Sequence, residues 1–326
     1  MVLRRKDSAK MKKILKKTLQ ILCPDLLVYR RYRRYLKMPK EQYPEELKKI
    51  YQKRTGFPLD LENPERLTEK IQWRKLFDPD DVYAVLSDKY AVRAWVEKKI
   101  GTEYLIPLLG VWERSKDIPF HTLPEAFVLK TNNGSHTNII VKDRRTFKPS
   151  EAKEKLTEWM RLPIWFDNGF EMQYRKIRPL VIAEAYMQPE DGAQDLTDYK
   201  FFCYGGTPVY CQVIRGRSEK ETIDFFDMEW NHMEFVGMNI HAANSKTPIS
   251  RPACFGEMRD VAAKLSNGFA FVRVDLYVIS GRVYFGEMIF TPGGGLGRFT
   301  PDEWDYKLGS LWDIHTQQVN REQVGI

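Results

Sequence analysis

The residues best suited to chemistry lie between 271 and 297. They run Phe-Val-Arg273-Val-Asp275-Leu-Tyr277, then a turn at Ser280-Gly281, then Val-Tyr-Phe-Gly-Glu287-Met-Ile289, and then Thr291-Pro-Gly-Gly-Gly. Side chains two apart on a strand share a face, so Arg273 and Asp275 point the same way. The tight turn folds the chain back, and counting outward from it sets Asp275 against residue 286 or 287. Two carboxylates and an arginine on one face suit a triphosphate with Mg²⁺, an ion that takes one or two protein carboxylates and keeps water and phosphate as its other ligands. The arginine would stand where a transferred phosphoryl group gathers charge. An ordinary surface ladder of one arginine between two acids accounts for the same pattern.

Three further runs suit the same ligand. Phe127-Val-Leu-Lys130 is an apolar strand that ends in a lysine, and the polar loop after it contains Gly134 and Ser135 before Asn138-Ile-Ile-Val141 returns. Free N–H groups of such a loop can close over phosphates while Lys130 reaches an oxygen, although a strand-end lysine facing solvent reads the same way. No lysine follows the glycine and no helix follows the loop, so this is not a GxxxxGK[ST] phosphate loop. Ile182-Ala-Glu184-Ala-Tyr-Met187 is an apolar strand interrupted by one acid. Its edge suits a flat base such as adenine, with Glu184 left for a ribose or amino contact; an edge strand with one outward acid is the alternative. Ser87-Asp88-Lys89 opens a helix, where Asp88 can cap and Lys89 can reach a phosphate. His136 in that loop is a substrate contact or, as a lone loop histidine more often is, a bystander, and the five histidines show no HxxxH spacing for zinc. There is no GxSxG elbow and no cysteine in a nucleophile context.

Short helices over 41–80 precede these elements, and a longer helix is expected from about Tyr83 to Ile100, closed by Gly101. Strands are expected at Ala126–Lys130, Asn138–Val141, Val181–Met187, Tyr199–Tyr204, Pro208–Ile214, Phe269–Val278 and Arg282–Phe290. Helices are expected at 150–161, 256–266 and 301–312. Long hairpins with helices between them indicate an α+β fold rather than a doubly wound parallel sheet.

The chain has 326 residues, 43% of them hydrophobic and 29% charged, with four cysteines, which excludes wholesale disorder and a disulfide scaffold. No apolar run is long enough to cross a bilayer as a helix. The net charge of +8 is concentrated: residues 1–40 hold 14 Lys and Arg against two acids, leaving 38 against 42 elsewhere. A nucleic-acid enzyme would carry its basic patch around the working site, so no nucleic-acid partner is expected. Within the head, Met11, Ile14, Leu15, Leu19 and Leu22 form a stripe among lysines until Pro24, and the cluster Tyr29–Tyr35 follows. Two readings stand: an in-plane anchor on an anionic membrane surface, or a helix packed on its own domain or on a partner. No secretory h-region is present, and Cys23, Cys203, Cys211 and Cys254 show no CxxC spacing. The expected location is cytoplasmic, peripheral to the inner face of the membrane.

In this order, from Asp88 to Glu287, the runs resemble an ATP-grasp enzyme, and residues 56–312 resemble its TupA-like branch, named for teichuronopeptide synthesis in bacterial cell walls. The matching runs are Leu67–Trp73, Asp88–Arg93, Tyr104–Trp112, Asp198–Phe202, Phe271–Tyr277 and Trp304–Gly309. The resemblance implies two α+β lobes clamping ATP behind a helical N-terminal region. It divides the chain into a head (1–40), a helical region (41–82), a first lobe (83–187), a second lobe (188–312) and a tail (313–326). It implies that Lys89 and Lys130 hold phosphates under the loop 131–138, with Gly134 and Ser135, and that the Glu184 strand binds adenine and ribose. It further implies that Asp275 and Glu287 hold Mg²⁺ and that Arg273 stabilises the transferred phosphoryl group. Lys200 and Arg215 are additional candidate contacts that no motif fixes.

Two features depart from the pattern: Ile289 stands where Glu-x-Asn would supply another oxygen ligand, and the loop has a single glycine. The implied activity is amide, or similar, bond formation through an acyl phosphate, joining sugar- or amino-acid-derived carboxylate and amine substrates in cell-surface polysaccharide biosynthesis. The alternatives are a glycosyltransferase, for which Asp78-Pro79-Asp80 has the Asp-x-Asp spacing, and a non-catalytic nucleotide-binding assembly protein.

Overall fold

The computed structural model describes residues 32–189, 193–238 and 242–326. The amphipathic stretch 10–22 and the start of the basic aromatic cluster lie outside the described residues. The rest of that cluster packs on its own chain. Tyr32 is buried and its hydroxyl donates to Asp167 at 2.6 Å, while Tyr35 stacks on Phe166 at 5.4 Å and meets Phe170 edge-on. Both tyrosines join the apolar cluster of Leu47 and Tyr51 on helix α1 (Tyr43–Thr55).

Helix α2 (Leu67–Phe77) buries Leu67 and Ile71, and Glu69 closes its first turn by accepting from the Arg66 N–H at 3.1 Å. The single helix expected over 83–100 is two, α3 (Asp81–Ser87) and α4 (Val92–Ile100). A tertiary bond causes the break: the Lys89 N–H donates to the Asn132 carbonyl at 3.0 Å instead of continuing the helix. The Asp88 carboxylate then accepts from the N–H groups of Tyr90 and Ala91, as a capping residue does at a helix start.

The first sheet is antiparallel, with β1 (Leu108–Trp112), β2 (Phe127–Thr131), β3 (Asn138–Val141) and β4 (Val181–Ala185) in the order β1-β4-β2-β3. Phe127, Leu129, Val181 and Ala183 bury one face under Ala152 and Leu156 of helix α5 (Pro149–Arg161). Alternation then turns Lys130 to the opposite face. Strand β1 has no period-two pattern in its sequence and was not expected; β4 stops at Ala185, before Met187.

The second sheet is also antiparallel. It contains β5 (Asp198–Tyr204), β6 (Thr207–Arg215), β7 (Thr222–Phe226) and β8 (His232–Met233); after the short β9 (Val236–Gly237) and helix α6 (Phe255–Ser266) come β10 (Phe271–Ile279) and β11 (Arg282–Ile289). Their order is β11-β10-β5-β6-β7-β8. One face, with Phe201, Cys203, Val272 and Val274, packs on Val261 and Leu265 of α6. The other face changes character along the strands. At one end Phe202, Tyr204 and Phe271 are covered by Leu67 and Ile71 of α2 and by Leu308 of helix α7 (Glu303–Ser310). At the other end the same face presents Asp198, Lys200, Arg273 and Asp275, and these residues border a cavity. The architecture is α+β, as expected.

Candidate active site

The β10–β11 register sets Asp275 directly opposite Glu287 and Arg273 opposite Ile289, while β5 brings Lys200 against Asp275 from the other side. Asp275 is buried, and the Arg273 guanidinium donates to both of its oxygens, at 2.7 and 2.8 Å. The Lys200 ammonium donates to Asp275 at 2.5 Å and pairs with Asp198 at 3.1 Å, and Arg217 pairs with Asp198 at 2.8 Å. Cations and anions therefore alternate across the sheet. Burial pushes the Asp275 carboxyl up, but Arg273 and Lys200 outweigh it and hold the group below its ordinary range. Glu287 behaves alike: desolvation raises it, but the Lys89 ammonium 3.2 Å away, helped by Lys200 and Lys130, brings it below the usual value. Both carboxylates are thus kept anionic. The buried, interlocked row is not the solvent-exposed ladder that the sequence left open.

The first sheet supplies the facing wall. Lys89, between α3 and α4, donates from Nζ to the Gly134 carbonyl at 2.7 Å, so it reaches both the loop and Glu287. The loop is closed at its base by Thr131, whose hydroxyl bonds Thr137 at 2.7 Å, and is tied back by Asn132, which donates to Asp88 at 2.9 Å. Lys130 donates to Glu184 at 2.6 Å, and Arg93 holds the other oxygen of Glu184 at 3.0 Å. Glu184 therefore orients Lys130.

These residues enclose a cavity of about 470 Å³. Lys89, Lys130, Gly134, Ser135, Lys200, Arg273, Asp275 and Glu287 all line it; of the residues singled out from the sequence as site candidates, Glu184 is set back behind Lys130, and Arg215 lies outside the lining and donates to the Ser245 hydroxyl at 3.0 Å. Asp78 and Asp80 are elsewhere. Asp78 accepts from Arg74 at 3.2 Å and from the Tyr83 hydroxyl at 2.6 Å, and Asp80 caps α3 and pairs with Arg321 at 2.8 Å. That Asp-x-Asp serves helix ends, so the glycosyltransferase constellation does not form.

The sequence reading missed Glu171, Tyr174, Asp198, Arg217 and Thr291, which also line the cavity. Asp198 and Lys200 share a strand face, and Thr291 continues the alternation of Glu287 and Ile289, so both had a period-two signal. Glu171 had none, because it comes from an irregular segment and meets its partners only in three dimensions. Its carboxylate accepts from the Thr291 hydroxyl at 2.5 Å and from the Asn168 amide at 3.1 Å. Behind it Lys75 is buried, donating to the carbonyls of Asn168 (2.6 Å) and Gly294 and to the Gln72 side chain (3.0 Å); burial lowers its pKa to about 8.

Among the described residues no group of three or more His, Cys, Asp or Glu could cage a metal ion. An opposed pair of ionised carboxylates instead fits Mg²⁺, which shares its coordination shell with phosphate and water. Ile289 adds an apolar side chain to that wall and no further oxygen.

The model of the TupA-like ATPgrasp family matches residues 69–313, a span that contains every cavity residue described above. A search of curated proteins finds no match. Among solved structures, the D-alanine–D-alanine ligase of Bacillus anthracis complexed with ATP is similar at 16% identity and a TM-score of 0.36, over 64% of this chain and 55% of that one. The D-alanine–D-alanine ligase of Helicobacter pylori is similar at 11% identity and a TM-score of 0.40, over 77% of this chain and 68% of that one. The ATP-grasp ligase PsnB, complexed with a minimal precursor, is similar at 12% identity and a TM-score of 0.34, over 64% and 53% of the two chains. The chain thus spans between about half and two thirds of the length of these proteins.

Proposed function

The chain belongs to the TupA-like ATP-grasp family, and from that premise we propose that it is an ATP- and Mg²⁺-dependent ligase that joins a carboxylate to an amine through an acyl phosphate. The observation that carries the reading is the opposition of Asp275 and Glu287, with Arg273 beside them, across one cavity from Lys89, Lys130 and the loop 131–138.

In this reading Lys89 and Lys130 hold the phosphates, Gly134 and Ser135 cover them, and the strand of Glu184 receives the adenosine. Asp275 and Glu287 are the metal ligands; when bound, Mg²⁺ supplies neutralisation of phosphate charge. Lys200 keeps Asp275 ionised and aimed. Arg273 stabilises the negative charge on the phosphoryl group as it passes to an oxygen of the substrate carboxylate, with ADP leaving. The amine then attacks the acyl carbon and phosphate departs. Such a transfer needs positioning and charge neutralisation and no protein nucleophile, which agrees with a cavity wall of lysines, arginines and acids. We assign the activity to cell-surface polysaccharide biosynthesis at the cytoplasmic face of the membrane, with residues 1–31 as the contact to anionic lipid.

The test is release of ADP and phosphate by the purified protein with ATP, Mg²⁺ and a panel of uronic and amino acids. Release that depends on a carboxylate is expected. A complete panel with no carboxylate-dependent release would overturn the ligase reading.

A further inference from the structure

Building on the ligase reading, we propose that Glu171, flanked by Thr291 and Tyr174, is the acceptor subsite: it binds the ammonium group of the amine substrate and takes its proton. The sheet itself sets out the order of the parts. Glu287, Ile289 and Thr291 follow one another at two-residue steps and all line the cavity. Asp275 stands opposite Glu287 and Arg273 opposite Ile289. At about 3.3 Å per residue, the strand step from Glu287 to Ile289 is about 7 Å, and Thr291 lies two residues beyond the end of β11. The Thr291 hydroxyl, and with it Glu171, is therefore one step past Arg273 on the side away from the two metal-ligand carboxylates. An amine held there approaches an acyl group at Arg273 from the side opposite the nucleotide.

The distribution of ion pairs in the cavity singles out the same residue. Asp275 is paired with Arg273 and Lys200, Glu287 with Lys89, and Asp198 with Lys200 and Arg217. Glu171 is only 5% exposed, yet its contacts are hydrogen bonds from Thr291 and Asn168, and no lysine or arginine nitrogen of the described residues lies within 4.0 Å of it. Lys75, the cation whose charge acts on it, directs its own three donors at Asn168, Gly294 and Gln72. A buried carboxylate with no cation in direct contact is stabilised by any cation that enters beside it. A carboxylate has about four lone-pair directions, of which the two hydrogen bonds use two.

The geometry of the donors is fixed as well. Gln173 donates to the Thr291 oxygen at 3.1 Å, which leaves the Thr291 proton for Glu171. Tyr174 lines the same cavity wall as Glu171, Glu287, Arg273 and Asp275. Burial pushes the Glu171 carboxyl up, with Lys75 the leading opposing influence, which makes it a stronger base than an exposed glutamate.

The step balances as follows. The Glu171 carboxylate takes one proton from R–NH₃⁺, leaving a neutral amine and a carboxylic acid. The nitrogen lone pair forms the C–N bond to the acyl carbon, the bond from that carbon to the phosphate oxygen breaks, and the second proton leaves with phosphate as hydrogenphosphate. One proton stays on nitrogen in the amide.

The experiment compares the full chain with Glu171→Gln, using ATP, Mg²⁺ and the same carboxylate panel in two arms. One arm supplies hydroxylamine, which is neutral near pH 7 and needs no base, and reads hydroxamate. The other supplies ammonium, glycine or ethanolamine, which are protonated there, and reads amide. The ratio of amide to hydroxamate should fall by about 100-fold or more in Glu171→Gln, the range expected for losing a general base. Glu171→Asp, which keeps the charge, should recover part of that ratio at a raised KM for the amine. An unchanged ratio, equal losses in both arms for both variants, or no amide from any of the three amines with the unmodified protein would each overturn the subsite. Absence of hydroxamate from the unmodified protein would instead overturn the ligase reading on which it rests.

Discussion

Replacing Lys200 by methionine tests whether the row from Arg273 to Arg217 is held by charge. Lys200 is 6% exposed, and its ammonium lies 2.5 Å from Asp275 and 3.1 Å from Asp198. At an effective dielectric of about 20, unit charges at those distances attract by about 7 and about 5 kcal/mol before desolvation is counted. Desolvation offsets most of this, and breaking a buried pair from one side costs about 3–5 kcal/mol, because an acid is left behind. Asp275 keeps Arg273 and Asp198 keeps Arg217, so the low end, about 3 kcal/mol, applies. An unfolding entropy of about 2.1 cal/mol/K per residue gives about 0.7 kcal/mol per degree for 326 residues, hence a fall in Tm of about 4 °C. Circular dichroism melts of Lys200→Met measure it. The double variant with Asp275→Asn should lose less than the sum of the singles by about 2 kcal/mol, since both changes remove the same buried pair. A shift under about 1 °C, or strict additivity, would refute the electrostatic account of the row.

Glu287→Gln should cut carboxylate-dependent phosphate release by about 100-fold or more while far-UV dichroism stays unchanged; full activity in that variant would remove the metal assignment. Lys89→Met removes the contacts to both Glu287 and the Gly134 carbonyl, and should weaken ATP binding about 10-fold by calorimetry, whereas equal affinity would detach Lys89 from the phosphates. Deletion of residues 1–31, which leaves Tyr32 and Tyr35 in their packing, should release the protein from anionic vesicles without stopping ATP turnover; undiminished sedimentation with vesicles would end the anchor reading. Lys75 has a pKa of about 8 in the fold against 10.5 ordinarily, so between those values the unfolded chain binds the extra proton and stability rises with pH. Urea unfolding should therefore show the unmodified protein gaining on Lys75→Met from pH 8 to 10.5, by up to about 3 kcal/mol, and a flat difference would contradict it.

What could be read from the sequence were the parts whose geometry is local. A two-residue turn and strand alternation suffice to set Asp275 against Glu287, and the register agrees. The hairpin at Gly205-Gly206 and the loop between Lys130 and Asn138 follow from turn chemistry in the same way. The break between α3 and α4 was legible only in part: Ser87-Asp88-Lys89 carries a helix-start signal, and Asp88 does cap, but helix-forming residues run through it, and what interrupts them is the Asn132 carbonyl, more than forty positions away in the chain. Glu171 stayed hidden for a related reason. Thr291, which bonds it, and Lys75, whose charge acts on it, are equally remote, and no periodicity links an irregular segment to a strand end and a helix.

The matching of lysines to acids in this cleft has a kinetic corollary. Lys89 with Glu287, Lys130 with Glu184 and Lys200 with Asp275 are short dipoles, whose fields die away faster than that of a lone ion. Beyond a Debye length of about 8 Å an approaching polyanion meets no net pull from them. Capture then begins at contact, by exchange of one partner for another, and the association rate of nucleotide should hardly change with ionic strength.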